Sequence, residues 1–100
     1  MATKTMPLRR LPLAAMAVAR ITPEAQQEFR DLPLRIQARV ANIFERLNDW
    51  PEVSGAKPLR GQLAGRYRIR TGDYCVQFYV DANGDPTIKK IGKRDRFYDE

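Results

Sequence analysis

Three arginines stand at alternate positions in the run Arg66-Tyr67-Arg68-Ile69-Arg70. In an extended strand alternate side chains share a face, so this spacing lines up three guanidinium groups on one side and apolar side chains on the other. A guanidinium is planar, permanently charged and able to grip phosphate through two hydrogen bonds, so the row suits the binding of a polyanion. A second cluster of candidates lies further on, where Lys93 and Arg94 are followed by Phe97 and Tyr98. The 100 residues include no histidine, which excludes a His-based triad, a histidine general base and a His-ligated metal site; neither a metal nor a cofactor is expected. Cys75 is the one cysteine, so no intrachain disulfide can form and a reducing cytosol is the natural setting.

Charge placement points the same way. The net charge is +6, made up of +4 in residues 1–20, −2 in residues 21–56 and +4 in residues 57–100. A basic segment rich in strand formers beside a mildly acidic one suggests a nucleic-acid partner; the plain alternative is a solvated basic surface. Length and a hydrophobic content of 43% allow one small domain with a single modest core.

The elements that must hold the arginine row follow from turn chemistry and periodicity. Gly72-Asp73 is a two-residue hairpin signal between strands at 66–71 and 74–80. With those two residues as the turn, Thr71 faces Tyr74, Arg70 faces Cys75, Ile69 faces Val76, Arg68 faces Gln77, Tyr67 faces Phe78 and Arg66 faces Tyr79. One side then carries Tyr67, Ile69, Tyr74, Val76 and Phe78 as a core face. The other, expected to be exposed, carries Arg66, Arg68, Arg70, Cys75, Gln77 and Tyr79. A three-residue loop would set Arg68 against Val76 and mix the faces, so the pattern selects the two-residue turn.

Upstream, residues 1–20 combine basic residues with a short apolar run. That pattern resembles a secretory signal, but the run is too short for a membrane span. The competing reading, preferred because the sheet needs the strand, is a flexible basic leader over 1–14 and a first strand over 15–21, within a domain spanning 15–100. Thr22-Pro23-Glu24 starts a helix, with Thr22 as cap, and Ala25, Phe29 and Leu32 recur at helical spacing. After Pro33, Ile36, Val40, Ile43, Leu47 and Trp50 form an apolar stripe on a second helix that Pro51 ends. Arg35, Arg39, Asn42 and Arg46 lie off the stripe and read as a solvated face. Residues 54–65 read as a loop containing Leu59-Arg60-Gly61, and residues 87–92 as a last strand whose faces alternation does not assign. Lys89 and Lys90 read as surface lysines. The fold class is therefore α+β: an N-terminal strand, a helical hairpin, then a three-stranded antiparallel meander with the helices on one face of the sheet.

This order, together with Leu59-Arg60-Gly61, Tyr67-Arg68-Ile69-Arg70, Gly72-Asp73-Tyr74 and Ile91-Gly92-Lys93-Arg94 followed by Phe97-Tyr98, resembles the RelE/ParE superfamily of type II toxins, closest to its RelE side. The resemblance implies a cytoplasmic toxin held silent by a cognate antitoxin. RelE-type toxins act on mRNA in the ribosomal A site; ParE-type toxins share the fold and inhibit DNA gyrase, which makes gyrase the alternative partner. No membrane partner is implied.

Cleavage of RNA by its own 2′-hydroxyl needs a proton removed, phosphorane charge stabilised and the leaving 5′-oxygen protonated. The resemblance implies Arg68 and Arg70 for phosphate binding and charge stabilisation, Arg94 for the leaving group, and Tyr98 for stacking on a base or proton transfer. Arg66 and Lys93 would bind RNA, and Arg60 would either do so or bridge loop and sheet. Two positions depart from the pattern: Cys75 stands where many relatives carry arginine, and Lys93 where many carry histidine. A thiol cannot replace a two-donor guanidinium, so Cys75 suggests a weakened nuclease, compensation by Arg70, or an attenuated toxin, and its thiol could also serve as a redox handle.

Overall fold

The hairpin is the centre of the sheet. In the computed structural model, which describes residues 17–93, strand β3 (Arg66–Thr71) pairs antiparallel with β4 (Tyr74–Val80). Its register runs from Arg66 opposite Tyr79 to Thr71 opposite Tyr74, as the turn residues require. Gly72 has a φ of 61°, the left-handed conformation that glycine adopts without a side-chain penalty.

Three further strands complete a mixed sheet in the order β1-β5-β4-β3-β2. Strand β5 (Pro86–Lys93) runs antiparallel to β4, and β1 (Arg20–Ile21) lies parallel to β5. On the opposite edge, β2 (Lys57–Pro58) pairs Lys57 with Arg68 and Pro58 with Tyr67.

Two helices cover one face. Helix α1 (Pro23–Arg30) begins where the Thr22 hydroxyl accepts a hydrogen bond from the Ala25 N–H at 3.1 Å. Helix α2 (Leu34–Arg46) continues as a 3-10 turn, Leu47–Asp49, rather than running as α-helix to Trp50. Its stripe of Ile36, Val40, Ile43 and Leu47 is buried with Ala25 against Ile69, Val76, Phe78, Ile88 and Ile91 of the sheet. Each such side chain contributes about 1.5–3 kcal/mol by leaving water. Trp50 locks the end of the stripe to the hairpin, its ring edge-on to Tyr67 and Phe78 at centroid distances of 4.9 and 5.3 Å.

The structure differs from the sequence reading in three further places. The first strand is two residues long, not seven, because Ala17 and Ala19 donate to Asn48 and Val18 donates to Asp85, which removes those N–H groups from any ladder. Residues 15 and 16 and the expected leader lie outside the described residues. The 54–65 segment is not all loop: it holds β2 and a 3-10 turn, Gly61–Leu63. In β5 the register shifts, with Gln77 opposite Lys90 but Phe78 opposite Ile88, so Lys89 is an extra, unpaired residue. That bulge lets Ile88 and Ile91 both face the core, and it is why simple alternation left this strand unassigned.

Candidate nucleic-acid interface

The face of the sheet away from the helices is built row by row across the strands. Lys57, Arg68, Gln77 and Lys90 form one cross-strand row. Arg70, Cys75 and Gly92 form the next towards the hairpin turn, and Arg66, Tyr79, Thr87 and Arg20 form a row on the far side. Facing residues share a side, so five basic side chains besides Arg20 — Lys57, Arg66, Arg68, Arg70 and Lys90 — project from this one face. Arg20, at the edge, sits 3.7 Å from Asp85, which neutralises it.

The face is less open than alternation alone suggests. Cys75 and Gln77 are buried, Arg66 and Arg68 half-buried, and Arg70 exposed. Arg66 reaches diagonally across the hairpin and donates from Nη1 to Gln77 Oε1 at 2.9 Å. The buried amide oxygen of Gln77 thus has a charged donor, and one end of the arginine row is tied down. Burial also removes Cys75 from the set of groups a ligand could touch, against its reading as a redox handle.

The other expected site residues fall as follows. Lys93 is exposed at the end of β5 but pairs with Tyr74, which by register sets it on the side of the sheet opposite Arg70. Arg60 is exposed and opens the 3-10 turn, its carbonyl accepting from the Leu63 N–H at 3.2 Å. Arg94 and Tyr98 lie outside the described residues. Lys57 was missed and Lys90 set aside by sequence reasoning. The signal for Lys57 was present, since a lysine next to a proline is the usual composition of a protected edge strand. Lys90 could not be placed without the bulge.

Among the described residues no cluster of three or more His, Cys, Asp or Glu side chains could hold a metal ion, and no helix is long and apolar enough to cross a membrane.

No family model and no curated protein matches the sequence. Solved structures do match. The toxin–antitoxin complex RelBE2 from Mycobacterium tuberculosis matches at 30% identity and a TM-score of 0.69, over 79% of this chain and 99% of that one. The RelB–RelE antitoxin–toxin complex from Methanococcus jannaschii matches at 20% identity and a TM-score of 0.66, over 80% and 95%. The isolated RelE toxin of E. coli matches at 18% identity and a TM-score of 0.64, over 77% and 83%.

Proposed function

The chain belongs to the RelE superfamily of toxins, and from that premise we propose that it is the toxin of a type II toxin–antitoxin module that cuts mRNA in the ribosomal A site. The observation that carries this reading is the register-matched basic face, in which Lys57, Arg68 and Lys90 share one row and Arg66 and Arg70 flank it.

The chemistry suited to such a face is attack by an RNA 2′-oxygen on the adjacent phosphorus. The 2′-O–P bond forms, the P–O5′ bond breaks, the 2′ proton is lost to a base, and the 5′-oxygen gains a proton. The products are a 2′,3′-cyclic phosphate and a 5′-hydroxyl. Arg68 and Arg70 hold the phosphate and stabilise the charge that grows on the phosphorane. Arg94 assists the leaving oxygen, and Tyr98 stacks on a base or carries a proton. Arg66, Arg60, Lys57 and Lys90 bind the RNA backbone, and Lys93, whose pairing with Tyr74 sets it on the other side of the sheet, stays outside this contact. No step requires a cofactor. The work is done in the cytoplasm, where the ribosomes are.

The proposed partner that silences the toxin is a cognate antitoxin. A chain of net charge +6 favours an acidic segment that folds on binding.

The test is expression in a bacterial host with mapping of mRNA ends. Growth arrest with new ends inside codons on translating ribosomes, lost on Arg70→Ala, is the expected result. Intact mRNA together with blocked DNA supercoiling would replace the nuclease reading with a gyrase inhibitor.

A further inference from the structure

Arg39, Asn42 and Arg46 occupy positions i, i+3 and i+7 of α2 and therefore one side of that helix. They are not simply a solvated face. Together with Arg70 and Thr71 at the end of β3 they line an open cleft of about 350 Å³, with Ile43 among its lining residues. No carboxylate is among these lining residues.

Each side of the cleft has a local cause. Strand β2 pairs with β3 only at Tyr67 and Arg68, so the outer edge of β3 is uncovered at Arg70 and Thr71. Arg39 leans over the hairpin turn, with its Nη1 3.5 Å from the point where a side-chain carbon on Gly72 would sit. Arg46 closes the other end, donating from Nη1 to the Ser54 carbonyl at 3.4 Å. Among the described residues the guanidinium groups of Arg39 and Arg70 have no hydrogen-bond or ion-pair partner.

Arg70 belongs to both this cleft and the basic sheet face, so the two surfaces are continuous. From Arg66 to Arg70 is about 14 Å along a strand, and from Arg39 to Arg46 about 10 Å along a helix. Cations repeated at this scale around an open edge match a chain of phosphates better than one small anion. Asn42 and Thr71 add neutral donors beside the guanidiniums.

We infer that this cleft is a second phosphate-binding site, through which a single-stranded RNA backbone passes from the sheet face over the free edge of β3 onto α2. The inference rests on the RNA-directed reading of the sheet face and extends it to a surface nothing else assigns. Arg39 and Arg46 hold backbone phosphates and take no part in bond breaking. Arg70 is the shared point at which the strand turns.

The test is binding of a 5′-labelled uridine hexamer to the full chain as salt is varied. In single-stranded RNA each phosphate contact contributes about 0.7 to the slope of log K against log salt. The variant Arg39→Gln/Arg46→Gln should flatten that slope by about 1.4. A charge-matched control, Arg30→Gln/Arg35→Gln, alters exposed arginines outside the cleft and should leave the slope unchanged. Equal slopes for the cleft variant and the wild type, or a wild type that does not bind the hexamer, would overturn the site. So would a cleft variant that loses affinity for a hexaglutamate peptide but not for RNA. Mapped mRNA ends in cells separate the two readings: cuts that persist without hexamer binding leave the nuclease standing and remove the cleft. Hexamer binding with the expected slopes but no cuts does the reverse.

Discussion

Two arginines of the same row should behave in opposite ways when truncated. Arg66 donates at 2.9 Å to the amide oxygen of Gln77, a residue only 2% exposed, whereas Arg70 is exposed and its guanidinium has no partner among the described residues. Arg66→Ala leaves a buried acceptor without its charged donor. Hydrogen bonds to charged groups are worth about 1.5–3 kcal/mol, and the half-buried guanidinium leaves water a partial route to Gln77, so a loss of about 1–2 kcal/mol is expected. In a domain of this size that lowers the Tm by about 5–15 °C. Arg70→Ala should change stability by no more than about 0.5 kcal/mol. It should instead cost about 10²–10³ in cleavage, the usual loss when a charge-stabilising donor is removed from a reaction centre. The measurements are thermal unfolding of both variants and a quantitative cleavage assay on programmed ribosomes. In a Gln77→Leu background, Arg66→Ala should cost less by about 1–2 kcal/mol, because the acceptor has gone. Equal Tm changes for Arg66→Ala and Arg70→Ala, or no coupling between Arg66 and Gln77, would refute the division of the row into a tied end and a free end.

Two further outcomes test how the sheet is held. Glu28 of α1 accepts from the Ile91 N–H at 2.8 Å, so Glu28→Ala should destabilise the fold by about 1.5–3 kcal/mol, read from urea midpoints at constant m-value. The Cys75 thiol is fully buried and should react with an aromatic disulfide reagent only in denaturant; prompt stoichiometric labelling of the native protein would contradict that burial.

The hairpin was legible because two independent constraints agreed. Gly72-Asp73 set the loop length, and only that length separates Tyr67, Ile69, Val76 and Phe78 from the arginines. The helices were legible for the same kind of reason: Thr22 and Pro23 mark a start, and the stripe of Ile36, Val40, Ile43 and Leu47 gives a period. What could not be read depends on contacts distant in sequence. Whether residues 17–19 join the sheet depends on Asn48 and Asp85, which capture their N–H groups. The bulge at Lys89 has no glycine to mark it, and its evidence is the burial of Ile88 and Ile91, three residues apart, on one side. The site followed the same division. Arg66, Arg68 and Arg70 were visible in the strand alternation, while Lys57 and Lys90 joined them only through pairing with Arg68 and Gln77.

That pairing has an electrostatic consequence that links stability to binding. Side chains two apart on a strand start about 7 Å from each other, and two unit charges at that distance repel by roughly 2 kcal/mol near a protein surface, before counter-charges and salt are considered. Like-charge repulsion among the strand neighbours Arg66, Arg68 and Arg70 is therefore an unfavourable contribution within the face that presents them. The layer behind it must supply the difference. Phe78 is fully buried, Tyr67 stacks on it at 5.5 Å, and Trp50 meets both edge-on from the end of the helical stripe, directly beneath the arginine-bearing strand. Any polyanion that covers the basic face removes the repulsion as well as adding contacts. The same residues thus favour binding twice, and an RNA strand and an acidic antitoxin segment would compete for the same relief.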